Sequence, residues 1–207
     1  DAELQVAALE RESNAARLAA LRMQLSPHTL FNLLNTIRGQ IGWDPRSAQQ
    51  LVVKLSDLLR KLLNASEREF VMLAEELQFV RLYLELQQSR FSDRLQVSLP
   101  PAESLPAVWV PSLILQPLIE NAVVHGLAGH AGAVQVEVTF AIDAEVLTLR
   151  LFNTVAAGTA LHDSGIGLRN VTERLRVHFG ERAALRTGPD GAGRWLAEIT
   201  LPAVRDR

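Results

Sequence analysis

Glycine is distributed so unevenly along this chain that it divides the fold in two before any motif is considered. Of twelve glycines, only Gly39 and Gly42 fall within residues 1–92. A stretch that avoids the residue most permissive of turns, with prolines only at 27 and 45, is a run of helices with short connections. The remainder alternates polar and apolar residues between turns rich in glycine and proline, which is the pattern of strands with a few helices. The expectation is a helical domain over 1–92 and an α+β domain over 93–207.

Within the first part, "DAELQVAALERESNAARLAALRMQL" sets Leu18, Leu21 and Leu25 at helical spacing and reads as a leading coiled-coil helix over 1–25. "WDPRSAQQLVVKLSDLLRKLLN" opens on Asp44 as N-cap and Pro45 at the first helical position, then aligns Leu51, Leu55, Leu58 and Leu62. "LAEELQFVRLYLELQQSRF" is a further helix with Leu73, Leu77, Val80 and Leu84 on one face. Such helices pack as a bundle or hairpin, and their remaining apolar stripes are buried by pairing two copies, so a homodimer is expected.

In the second part, "LQVSL" and "VWV" are short extended pieces, and a helix is expected from Pro111 to about His125. "VQVEVTFAI" and "VLTLRLFN" form a hairpin around Asp143-Ala144-Glu145. "GLRNVTERLRVHFG" is a helix stopped by Gly180, and "ALRTG" and "RWLAEITLP" finish as strands.

Composition excludes several functions. A net charge of −2 without a basic run gives no reason to expect nucleic acid or direct contact with an anionic membrane surface. The absence of cysteine removes disulfides and thiolate zinc sites. The longest charge-free apolar stretch, "SLPAVWVPSLILQPLI", is interrupted by three prolines and cannot span a bilayer as a helix. The chain opens at Asp1 inside a helical pattern, so it is expected to be a piece of something longer.

Three stretches carry chemistry. In "QLSPHTLFNLLNTI" a helical projection gathers Leu30, Leu33, Leu34, Ile37 and Ile41 on one side. It places Gln24, His28, Asn32 and Asn35 on the opposite, polar side. An imidazole there is either a solvated surface group or a nucleophile toward a phosphoryl group, with Asn32 one turn away to hydrogen-bond. In "LILQPLIENAVVHGL", Asn121 and His125 lie one turn apart; the amide oxygen suits Mg²⁺ and the ring can meet a phosphate oxygen. In "DSGIGLRNVTERL", a glycine pair opens a helix whose free N–H groups and dipole can hold phosphates.

"QLSPHTLFNLLNTI", "LQPLIENAVVHGL" and "GIGLRNVTERL" resemble the phosphoacceptor, N and G boxes of the LytS/YehU-type sensor histidine kinases. "VRLYLELQQSRFSDRL" is similar to the helix that joins the two domains in that family. The resemblance runs from about residue 18 to 202. It implies a dimeric helical bundle followed by an α+β two-layer sandwich of the Bergerat (GHKL) ATPase fold. It also implies ATP and Mg²⁺ as cofactors, and a response regulator receiver domain as partner. The chain would be the cytoplasmic portion of a sensor anchored in the inner membrane.

By the same resemblance His28 is the phosphorylated residue, with Asn32 beside it, and Asn121 is the Mg²⁺ ligand. His125 is a phosphate contact, Gly165 and Gly167 are lid glycines followed by Leu168, and Asn170 is a polar residue at the nucleotide mouth. Asn153 takes the place of the aspartate that reads the adenine amino group. Glu120 is open between ordering a metal-bound water, polarising the attacking imidazole, and simple exposure. The chain departs from the family pattern at Thr29, usually aromatic, and at Asp163, usually glycine. Pro117 stands where hydrolytic relatives keep a basic glutamate, which suits transfer to histidine better than hydrolysis. A second class, a dimeric nucleotide-binding scaffold without transfer, is motivated by Asn153 and Asp163. The three tryptophans are read as packing anchors.

Overall fold

The computed structural model describes residues 27–127, 132–155, 166–191 and 193–206. The leading helix expected over 1–25 and Gly165 lie outside the described residues. The chain forms two compact units, divided between Glu67 and Arg68.

In the first unit α1 (Pro27–Gln40) packs on α2 (Pro45–Ser66). The second helix begins as its sequence directs: Pro45 needs no N–H partner at the first position, and the Ser47 N–H donates to Asp44 Oδ1 at 3.0 Å. Leu58 and Leu62 are fully buried, with Leu51 and Leu55 beside them. The packing stripe of α1 is narrower than its apolar pattern suggests. Thr29, Leu33 and Ile37 are buried, whereas Leu34 is 47% and Ile41 58% exposed. A single neighbouring helix covers one i, i+4 row, and Leu34 and Ile41 project away from it.

The second unit begins with β1 (Phe70–Met72), a strand that its three residues do not announce in the sequence. It pairs antiparallel with β3 (Trp109–Pro111), Val71 opposite Val110. Between them come α3 (Leu73–Phe91) and β2 (Leu95–Ser98). Then follow α4 (Gln116–Leu127), the hairpin β4 (Val134–Asp143) and β5 (Val146–Thr154), α5 (Ile166–Phe179), β6 (Ala184–Pro189) and β7 (Arg194–Pro202). The main sheet has the order β2-β4-β5-β7-β6 and is antiparallel except where β2 runs parallel to β4.

Side chains alternate along β5: Leu147, Leu149, Leu151 and Asn153 point into the core. There they meet α4 with its buried Leu118 and Ile119, while α5, with Val171 and Leu175 buried, packs beside it on β6 and β7 to complete the second layer. The opposite face is polar, with Arg150 Nε 2.6 Å from Glu198 Oε2 across β5 and β7. The hairpin turns through Ala144 at φ 52°, and α5 stops where Gly180 takes φ 58°.

Two boundaries differ from the sequence reading. The third helix, assigned to a helical domain ending at residue 92, belongs to the second unit. It is buried on several sides, including Phe79, Tyr83, Leu86 and Gln87 as well as the predicted stripe, because the sheet unit wraps it. The following helix starts at Gln116 rather than Pro111, since Pro111 pairs in β3 and Leu113 takes a left-handed φ of 56°.

Replacing Asp44 leaves the Ser47 N–H without its acceptor. Asp44→Ala should lower the unfolding free energy by about 1 kcal/mol, and Asp44→Ser should restore most of it, in urea titrations followed by far-UV circular dichroism.

Candidate functional site

The segment leading into α4 is held by a buried carboxylate. Glu76, 2% exposed in the first turn of α3, accepts the Leu113 N–H at 2.5 Å and the Leu115 N–H at 3.2 Å. Left-handed backbone at a leucine costs about 1–2 kcal/mol, which these two bonds to a charged acceptor offset. Burial pushes the Glu76 carboxyl up to about 7, while the backbone N–H groups and the Arg174 guanidinium pull it down. At its other end α4 lies flush on the sheet. A Cβ at Gly126 would stand 2.6 Å from Val134 Cγ1 and 3.1 Å from the Thr154 carbonyl oxygen, so only glycine allows this approach.

Between these two attachments α4 turns Asn121 and His125 into a small cleft of about 50 Å³. The sheet supplies the facing wall through Leu151, Asn153, Trp195 and Ala197, and α5 closes one end with Leu168. The cleft lining is mainly apolar with a few convergent polar groups, which is the character of a small-molecule site. Asn153 is 3% exposed and its Nδ2 donates to the Thr154 carbonyl at 3.2 Å. With the nitrogen so engaged, the amide oxygen is the atom left to accept from a ligand.

The structure thus brings together four of the residues singled out in the sequence: Asn121, His125, Asn153 and Leu168. Glu120 does not line the cleft. Its Oε1 accepts from Gln116 Nε2 at 2.9 Å, and burial raises its carboxyl to about 7. Gly167 is in the first turn of α5, where a Cβ would come 3.2 Å from Pro117 Cβ, so this glycine lets α5 approach α4. Asn170, one turn on, is exposed. In the first unit, His28 occupies the first turn of α1, and the Asn32 carbonyl accepts from Thr36 Oγ1 at 3.0 Å. Among the described residues no group of three or more His, Asp and Glu side chains is placed to hold a metal ion.

Sequence reasoning missed Trp195 and Thr187 as cleft residues. Trp195 stands directly opposite Asn153 in the β5–β7 register, so only knowledge of that pairing could have found it. The tryptophans are not uniformly packing anchors: Trp195 lines the cleft, and Trp43 is 74% exposed. His178 is edge-on to Phe70, their ring centroids 4.7 Å apart.

Comparison with known proteins defines the class first. The chain superposes on the histidine kinase domain of a blue-light-activated histidine kinase from Erythrobacter litoralis with a TM-score of 0.52 and 16% identity. The match covers 91% of this chain and 94% of that one, and it identifies the fold as that of the GHKL histidine kinases. A family model described as histidine kinase matches residues 16–95. The chain is 35% identical to the sensor histidine kinase BtsS of Escherichia coli over 167 residues, 80% of this chain and 30% of that protein. It is 30% identical to the sensor protein LytS of Oceanobacillus iheyensis over 219 residues, 96% of this chain and 37% of that one. It therefore spans about a third of the length of these curated relatives. The chain belongs to the LytS/YehU-type sensor histidine kinases.

The raised Glu120 carboxyl has a measurable consequence. Between the usual carboxylate range and about 7 the folded chain keeps a proton that the unfolded chain has lost. Stability from this group is therefore present in acid and declines as pH rises through about 7. Unfolding free energies of wild type and Glu120→Gln, measured from pH 4 to 8.5, should diverge between about pH 4.5 and 7, with the variant gaining on wild type across that window and the gap constant above it.

Proposed function

We propose that this chain is the kinase core of a two-component sensor, transferring the γ-phosphoryl group of ATP to His28 and from there to an aspartate of a response regulator receiver domain. The observation that carries the reading is the cleft itself. Asn121 and His125, on one turn of α4, face Asn153 on the sheet and Leu168 on the glycine-led helix, although these residues are scattered over some fifty positions of sequence. Asn153 accepts from the adenine amino group at the cleft floor. His125, Gly165 and Gly167 meet the phosphates, and Asn170 stands at the mouth.

Asn121 is the protein's ligand to Mg²⁺. A lone amide oxygen fits that ion, which keeps most of its coordination shell from water and phosphate oxygens and dehydrates reluctantly. When bound, Mg²⁺ neutralises phosphate charge. A neutral nitrogen of His28 attacks the γ-phosphorus in line, the bond to the bridging oxygen breaks and ADP leaves, so the protein's work is positioning. Asn32, one helical turn after His28 in sequence, can hydrogen-bond the phosphoryl-accepting group. Glu120, turned to Gln116, orients the turn that carries Asn121.

Six large apolar side chains in the helical unit support a homodimer. Phe31, Leu34, Ile41, Trp43, Val52 and Val53 are each more than 45% exposed, and a second hairpin would bury them in a four-helix core. Among the described residues no helix is long and apolar enough to cross a membrane. We read the chain as the cytoplasmic portion of a longer, membrane-anchored sensor, in keeping with the sensor names of its relatives.

Incubation with radiolabelled ATP and Mg²⁺ should give acid-labile, base-stable label on the protein. His28→Gln should lose that label while still binding nucleotide, and Asn121→Ala should lose the Mg²⁺ dependence of binding. Nucleotide binding without label in wild type would favour the non-transferring scaffold, for which the uncharged Asn153 at the cleft floor is the structural argument. Light scattering at tens of micromolar should give twice the chain mass, and Leu34→Glu should shift it toward monomer.

A further inference from the structure

Glu76 and Arg174 are not among the residues that line the cleft, yet their hydrogen bonds converge on the segment that leads into one of its helical walls. Glu76 accepts the N–H groups of Leu113 and Leu115, the residues that lead into α4. Arg174, on α5, donates to the Ser112 carbonyl oxygen, and its charge acts on the buried Glu76 carboxylate. Their hydrogen bonds to the one short stretch 112–115 therefore tie the lead-in of α4 to both the first turn of α3 and the second half of α5. The two walls also touch at Pro117 and Gly167, so their spacing is set at two points along each helix.

We propose that Glu76 and Arg174 are positioning residues that set the separation of α4 and α5, and through it the affinity of the nucleotide cleft. This rests on the cleft being the ATP site. The geometry gives the pair leverage. α4 carries Asn121 and His125, α5 carries Leu168, and a change in the spacing of these helices alters the width of the cleft at that end. Removing either side chain takes hydrogen bonds from the buried backbone of 112–115, so that segment must rearrange or admit water. The left-handed Leu113 is the residue with strain to release when it does. Glu76 is also in the first turn of the helix that follows the division between the two units, so it joins the start of that helix to the lead-in of α4.

The test uses the full chain and two independent readouts. The first is the dissociation constant of a fluorescent ATP analogue with Mg²⁺ for wild type, Glu76→Gln, Arg174→Met and the double variant. Each single change should weaken binding roughly tenfold, and the double variant should be no weaker than either single, since the pair acts as one unit. In autophosphorylation the effect should fall on the ATP concentration for half-maximal rate and spare the rate at saturation. Arg174→Lys, which keeps the charge, should recover part of the loss. The second readout is amide hydrogen exchange without nucleotide. Glu76→Gln should accelerate exchange in both 113–118 and 167–175 while leaving β4 and β5 as in wild type. Additive losses in the double variant, uniform acceleration across the unit, or acceleration confined to α4 would each overturn the proposal. If wild type fails to bind the analogue, the ATP reading of the cleft falls, and the exchange pattern still decides whether the pair spaces the helices.

Discussion

A carboxylate removed from water holds the second unit in register. Glu76 sits where the chain enters α3, and the groups that satisfy it come from distant sequence, the backbone N–H groups of Leu113 and Leu115, beside the Ser112 carbonyl that Arg174 holds. A buried charge tolerates little slack, because each lost partner exposes the full cost of its desolvation. The lead-in to α4, the left-handed turn at Leu113 and the approach of α5 are therefore fixed together. The hydrophobic core fills the space between them and would accept several arrangements of similar volume; the hydrogen bonds of Glu76 and Arg174 to 112–115 discriminate among these.

The other constraint is one of thickness. Gly126 brings the end of α4 within contact of Val134 and the Thr154 carbonyl, and Gly167 brings α5 against Pro117. Both residues occur in stretches whose sequence suggested phosphate chemistry. Here they act first as sites of close approach between elements, and the proximity of Asn121 to Asn153 follows from that approach. Glycines near a nucleotide cleft serve packing and ligand access through the same missing Cβ.

Much of this architecture was readable in the sequence, where the determinants are local. Asp44 and Pro45 announce α2, alternation announces the β4–β5 hairpin, and Gly180 announces the end of α5. Features set by distant partners were not readable. Nothing in "FVM" reveals β1 without its pairing to β3, and nothing in "LAEEL" reveals that the second glutamate is buried against residue 113. The apolar pattern of α1 shows which residues need cover but not how many neighbours supply it, which is why Leu34 and Ile41 remain exposed within one chain. The site was half visible for the same reason. Asn121 and His125 share a helical turn, whereas Trp195 enters through a strand register.

Trp195 carries a consequence of another kind. Its indole lies in the cleft wall opposite Asn153, while Trp43 is already largely in water and Trp109 is held in β3. Indole emission shifts with the polarity and mobility of its surroundings, so three tryptophans in three settings give the chain a built-in optical probe. Whatever fills or empties the cleft changes the solvent around one chromophore of the three, and the protein's own fluorescence can follow occupancy without a dye, a label or a coupled assay.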